Sequence, residues 1–192
     1  MSVIRAFIAL DLTPEIRGRL DKVEAKLKDG LAGVPIRWAP GSNIHLTLKF
    51  LGDVSLSNLD VLRRVIQAES ARHPKFEISV GGLGAFPSVH RPRVIWAGVE
   101  APAELASLQN GIELELERLG YAREERDFSP HLTLGRVARN ASPQEVRSIG
   151  NVVANSKVGF LGAATLGEVH LYKSDLNPTG AVYTKLFTAP LA

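Results

Sequence analysis

The sequence predicts an α+β fold of mostly antiparallel sheets arranged as two similar lobes. Roughly eight strand-like segments and four amphipathic helices follow one another without strict alternation and without gathering at one end. The strand tetrapeptide His-Leu-Thr-Leu occurs twice, at His45 and at His131, which suggests two lobes facing each other. With 192 residues, 45% hydrophobic and 22% charged, the composition is that of one globular unit spanning 1–192.

Val3 to Leu12 is apolar, with β-branched and aromatic members, and reads as a strand. Asp11-Leu12-Thr13-Pro14-Glu15 then supplies the start of a helix whose apolar face is Ile16, Leu20, Val23 and Leu27, ending near Gly30. The stretch from Pro35 to Asn43 reads as turns. Ile44 to Leu51 alternates with period two and is a strand stopped by Gly52-Asp53; a helix follows from about Asn58 to Arg72. Phe76 to Val80 and Arg93 to Val99 are strands flanking a Gly-, Pro- and Arg-rich loop, and Ala103 to Leu119 is the third helix. Ser129 to Val137 repeats the alternating strand, and Ser142-Pro143-Gln144-Glu145 opens the fourth helix. Strands near Lys157 to Phe160, Leu166 to Lys173 and Val182 to Phe187 complete the chain.

Composition narrows the chemistry. There is no cysteine, hence no disulfide, thiolate nucleophile or Cys-ligated metal. No apolar run approaches a membrane span and the first residues lack the pattern of a secretory signal, so a cytoplasmic protein is expected. Of the 23 basic residues 15 are arginine, which suits bidentate phosphate contacts without proving them. Gly81-Gly82-Leu83-Gly84 lacks the lysine of a nucleotide-phosphate loop.

The repeated tetrapeptide carries the chemistry. Threonine two places after two of the five histidines has a chance of roughly 1% at this threonine content, so the match is informative. Side chains at i and i+2 of a strand share a face, so His45 projects with Thr47 and His131 with Thr133, while Leu46, Leu48, Leu132 and Leu134 face the core. Two imidazoles flanking a site lined by two hydroxyls suit in-line displacement at phosphorus: one takes a proton from the attacking oxygen and the other protonates the departing one. The hydroxyls can donate to the non-bridging oxygens. No cofactor or metal is needed, and neither motif contains a His-x-x-x-His or an acidic ligand.

Arg5-Ala6-Phe7-Ile8-Ala9-Leu10, His45 through Gly52, Phe86-Pro87 with Pro92-Arg93-Val94-Ile95-Trp96, Phe128 through Arg136, and Leu171-Tyr172-Lys173-Ser174 with Gly180 and Tyr183 resemble the two-histidine (2H) phosphoesterases. The branch in question is the bacterial RNA 2′,3′-cyclic phosphodiesterases, also called the 2′-5′ RNA ligase family. This resemblance implies a bilobal α+β fold, outer helices around a central cleft, and metal-independent opening of a terminal 2′,3′-cyclic phosphate to a 2′-phosphate. It implies His45 as acid on the leaving 3′-oxygen, His131 as base on water, and Thr47, Thr133 and Arg136 as phosphate ligands. Gly135 stands where the family commonly has alanine. Partners implied are an RNA end bearing the cyclic phosphate or a small cyclic nucleotide, with reversible 2′-5′ joining as a secondary activity.

Around these residues, Phe128 is a candidate for stacking on the terminal base, with core packing as its alternative. Trp38 and Trp96 read as core aromatics, His170 as strand filler, His73 as a helix-end residue, and His90 as part of a basic loop. Two other function classes remain open at this point: an RNA-end-binding module without turnover, and a metal-dependent phosphoesterase.

Overall fold

The computed structural model of the protein describes residues 2–178 and 180–192. Among them are nine strands and four helices: β1 (Val3–Leu10), α1 (Pro14–Gly30), β2 (Ile36–Trp38), β3 (Leu46–Ser55), α2 (Leu59–Ser70), β4 (Phe76–Phe86), β5 (Val94–Glu100), α3 (Ala103–Arg118), β6 (His131–Val137), α4 (Pro143–Asn155), β7 (Phe160–Leu166), β8 (Glu168–Asn177) and β9 (Gly180–Pro190). They form two antiparallel sheets, ordered β3-β1-β8-β9 and β2-β6-β5-β4-β7.

The helix starts follow the sequence signals. Thr13 Oγ1 accepts from the Ile16 amide ahead of Pro14, and Ser142 with Glu145 forms a reciprocal capping box, a device that stabilises a helix by about 1 kcal/mol. α1 leaves a strand of the first sheet yet packs on β7 and α4; α3 leaves a strand of the second sheet yet packs on β3 and α2. This exchange ties the sheets together, and one core cluster runs through both, from Ile8, Leu10 and Leu46 to Ile95, Leu132 and Leu134. Each such buried side chain favours the folded state by roughly 1.5–3 kcal/mol.

Several boundaries differ from the sequence reading, the last two strands among them: β8 runs on to Asn177 and β9 spans Gly180–Pro190. The supposed turn region contains β2, a three-residue edge strand on β6, too short to show a period. β3 continues through Gly52, which adopts φ 68° at a register shift against β1, a conformation that costs glycine little. β4 runs on from Val80 to Phe86, because the glycines read as a loop bend the strand instead. At Gly84 a Cβ would fall inside the Trp96 ring, so only glycine leaves room for that indole. Finally, β7 begins at Phe160, where the Lys157-side strand was expected to end; its Gly-Ala-Ala interior carries almost no strand propensity.

The two motif strands share an irregularity that positions the site. Thr47 pairs with Ala9 and Lys49 with Ile8, leaving Leu48 without a partner; Thr133 pairs with Trp96 and Gly135 with Ile95, leaving Leu134 without one. A bulge of this kind puts two successive residues on one face. Lys49 and Gly135 therefore turn inward behind their leucines and are buried, while Phe50 and Arg136 emerge exposed. Strict alternation would have done the reverse.

Candidate active site

The first wall of the site is built on alternate residues of β1. Phe7 pairs with Phe50 on one side and Tyr172 on the other. The His45 ring stacks on Phe7, with centroids 4.7 Å apart and planes 19° apart, and Phe7 in turn stacks on Tyr172 at 5.2 Å. Tyr183 stands edge-on to both Phe7 and His45, at 4.9 and 5.3 Å. Burial within these rings pushes the His45 pKa down to about 4; the Asp11 charge and a backbone hydrogen bond at Asn43 oppose it, and Arg17 adds to it.

Asp11 anchors this wall from below. Its carboxylate accepts from the Tyr172 hydroxyl at 2.7 Å and from Lys185 Nζ at 2.8 Å, with His170 Nε2 at 3.5 Å and Arg17 Nη2 at 3.6 Å. Burial works against the charge, yet these hydrogen bonds and the neighbouring cations hold the Asp11 carboxyl below its usual value. Burial and the bond to Asp11 push the Tyr172 hydroxyl up, so it stays a donor. A cavity of about 380 Å³ opens beside His45, its lining including Asp11, Ser42, Asn43, Tyr172 and Tyr183.

The second wall carries His131, whose Nδ1–H donates to the Ser129 carbonyl at 2.8 Å. Neutral imidazole held in this way keeps the Nε2 lone pair free. Both histidines thus make a backbone hydrogen bond to the residue two places upstream. Phe86 stands edge-on to His131 at 4.8 Å and leans on Trp96 at 5.2 Å. The His131 pKa is lowered by burial, with the Ser129 bond opposing and Arg136 adding to the effect.

Arg136 links the walls: its charge acts on His131 beside it and on Tyr183 of the first wall, where burial raises the hydroxyl pKa and Arg136 and Arg5 oppose the rise. β3 and β6 themselves come into contact where the sheets meet. Thr47 lies on β3 with His45 immediately before that strand, and His131, Thr133 and Arg136 lie on β6. Phe128 is half-buried and packs against the core cluster.

Other expectations shift. Trp96, read as core, is the register partner of Thr133 and lies against Phe86. His73 pairs with Glu69 at 2.9 Å, and His90 is exposed on its loop. His170 is buried, bonded through Nδ1 to Thr188 Oγ1 at 2.9 Å, and sits behind Asp11. Sequence reasoning gave no site role to Arg5 and Phe7, although their period-two spacing on β1 is the mark of a shared face, nor to Asp11, which follows the strand and was read only as part of a helix start. Among the described residues no three His, Cys, Asp or Glu side chains group as a metal would require, and no helix is long and apolar enough to cross a membrane.

Residues 12–178 match the model of the 2′-5′ RNA ligase superfamily. The chain belongs to this superfamily. It is 34% identical over 183 residues to a protein of Methanothermobacter thermautotrophicus named RNA 2′,3′-cyclic phosphodiesterase, covering 95% of this chain and 96% of that one. Two solved structures show the superfamily fold over nearly the whole length. One, from Thermus thermophilus, has a TM-score of 0.82 at 26% identity, covering 98% of each chain. The other, E. coli LigT complexed with 3′-AMP, has a TM-score of 0.77 at 26% identity, covering 100% of this chain and 99% of that one.

Proposed function

We propose that the protein hydrolyses the terminal 2′,3′-cyclic phosphate of RNA to a 2′-phosphate, without a metal, using His45 and His131 as an acid–base pair. The observation that carries this reading is the paired construction: two bulged strands from two sheets, each presenting a backbone-tethered histidine and a threonine two residues on. The named relatives support the substrate class.

In the reaction, His131 Nε2 takes a proton from water as its oxygen bonds to phosphorus. The P–O3′ bond breaks, and the imidazolium of His45 gives its proton to O3′, leaving the phosphate on O2′. Thr47, Thr133 and Arg136 hold the non-bridging oxygens, where charge accumulates. A 5′-hydroxyl attacking in place of water forms a 2′-5′ linkage by the same proton transfers, which accounts for reversible joining. A single assay tests the reading. Turnover of adenosine 2′,3′-cyclic phosphate to the 2′-phosphate should persist at full rate in EDTA. Loss of activity in EDTA would establish a metal enzyme, and tight binding of the RNA end without turnover would establish a binding module.

The pH profile follows from the perturbed histidines. kcat/KM reports the free enzyme, in which one imidazole titrates near 4 and the other below 6.5. It should therefore peak on the acid side of pH 6.5 and fall as pH rises. The bound phosphate anion stabilises both imidazoliums, so the kcat profile should lie at higher pH. Coincident profiles centred above pH 7 would contradict this electrostatic picture.

A further inference from the structure

We infer that a bare strip of the second sheet, running from His131 to Phe160, seats the RNA strand whose 5′-hydroxyl replaces water as the attacking group. The assignment deepens the cyclic phosphodiesterase reading of the site and rests on it. Four residues pair in a single row across β6, β5, β4 and β7: His131 with Gly98, Gly98 with Gly81, and Gly81 with Phe160. Residues paired across a sheet share a face, so Gly98, Gly81 and Phe160 lie on the face that carries His131. Neither glycine has room for a Cβ: at Gly98 it would come 2.6 Å from the Gly81 carbonyl oxygen, and at Gly81 2.8 Å from that of Gly159. The middle of the row is therefore open backbone, and both glycines are only half-buried. At the far end Phe160 is 71% exposed, although phenylalanine ordinarily seeks burial. The ring does nothing for the core, since β7 meets Ile16 of α1 with its opposite face, at Gly162.

The chemistry selects the occupant. In-line displacement brings the attacking oxygen in from the His131 side and sends O3′ out on the His45 side, so whatever carries the attacking hydroxyl approaches over the second sheet. Water needs no strip; a 5′-hydroxyl strand does. Its 5′-oxygen bonds to phosphorus and its proton goes to His131 Nε2. The P–O3′ bond breaks and O3′ takes the proton of His45, leaving a 2′-5′ linkage with no other reactant. Strand spacings of about 4.8 Å set Phe160 about 14 Å from His131 along the row, a span that two extended nucleotides bridge. The first nucleoside of the attacking strand crosses the glycines and the second base stacks on Phe160, a contact tolerant of base identity. Trp96, whose ring lies over Gly84, walls one side of the strip. The register pair Ser79 and Glu100 forms the next row on the other side, polar groups that suit sugar hydroxyls.

The reverse reaction gives the cleaner test, because cleavage of a 2′-5′ linkage retraces the same proton transfers. Wild type, Phe160→Ala and Phe160→Trp are compared on adenylyl-(2′-5′)-adenosine, on the same dinucleotide extended by a 3′-5′-linked adenosine, and on adenosine 2′,3′-cyclic phosphate. In wild type kcat/KM should favour the trinucleotide over the dinucleotide by about tenfold. Phe160→Ala should abolish that preference, through KM, and Phe160→Trp should retain it, while hydrolysis of the cyclic nucleotide should be the same in all three. No preference in wild type, a preference that survives Phe160→Ala, or an equal loss on every substrate overturns the strip. If wild type opens the cyclic phosphate but leaves 2′-5′ linkages intact, the hydrolase reading stands and the strip falls. If it does neither, both fall. Thermal melting confirms that the variants fold.

Discussion

Replacing His45 or His131 by alanine is expected to lower turnover of a 2′,3′-cyclic nucleotide by about 10²–10⁴ each, the range for a positioned acid or base. Each ring is tethered by its backbone hydrogen bond and braced by aromatic neighbours, Phe7 for His45 and Phe86 for His131, so the geometry is set before substrate arrives. Because the two proton transfers serve one displacement, the losses should not multiply: the double variant should be little slower than the worse single one. KM should change much less than kcat, since the threonines and Arg136 still bind phosphate. Steady-state rates for the four proteins decide the matter. Near wild-type turnover in either single variant would remove the paired mechanism.

The second large effect is on stability. Lys49 Nζ donates to Glu113 Oε2 at 2.6 Å and to the Ala122 carbonyl at 2.8 Å, and the Gln109 amide donates to the other Glu113 oxygen at 3.3 Å. Both ends of the ion pair are about 4% exposed. Lys49→Ala leaves a carboxylate buried without its counter-charge, which should destabilise the fold by about 3–5 kcal/mol. For a chain of this size that lowers the melting temperature by roughly 10 °C. Lys49→Met combined with Glu113→Leu removes both charges at similar volume and should recover most of the loss. Calorimetric melting of the three proteins tests this; equal destabilisation by the single and double changes would show that packing, not charge, holds the strand. The pair also sits directly behind the bulge, so Lys49→Ala should loosen the face that presents Thr47 and Phe50.

What the sequence determined by itself was local. Alternation located the two motif strands, cap residues located the starts of α1 and α4, and the repeated His-x-Thr spacing put each imidazole beside a hydroxyl, because period two and period 3.6 are properties of neighbouring residues. Tertiary structure decided the rest. The bulges at Leu48 and Leu134 depend on what the adjacent strands pair with, and they alone bring Phe50 and Arg136 to the site face in place of Lys49 and Gly135. The aromatic seat under His45 draws on β1, β8 and β9, residues far apart in the chain, and the depressed pKa of that ring exists only once they enclose it. Burial and register are pairwise quantities, and no single strand contains them.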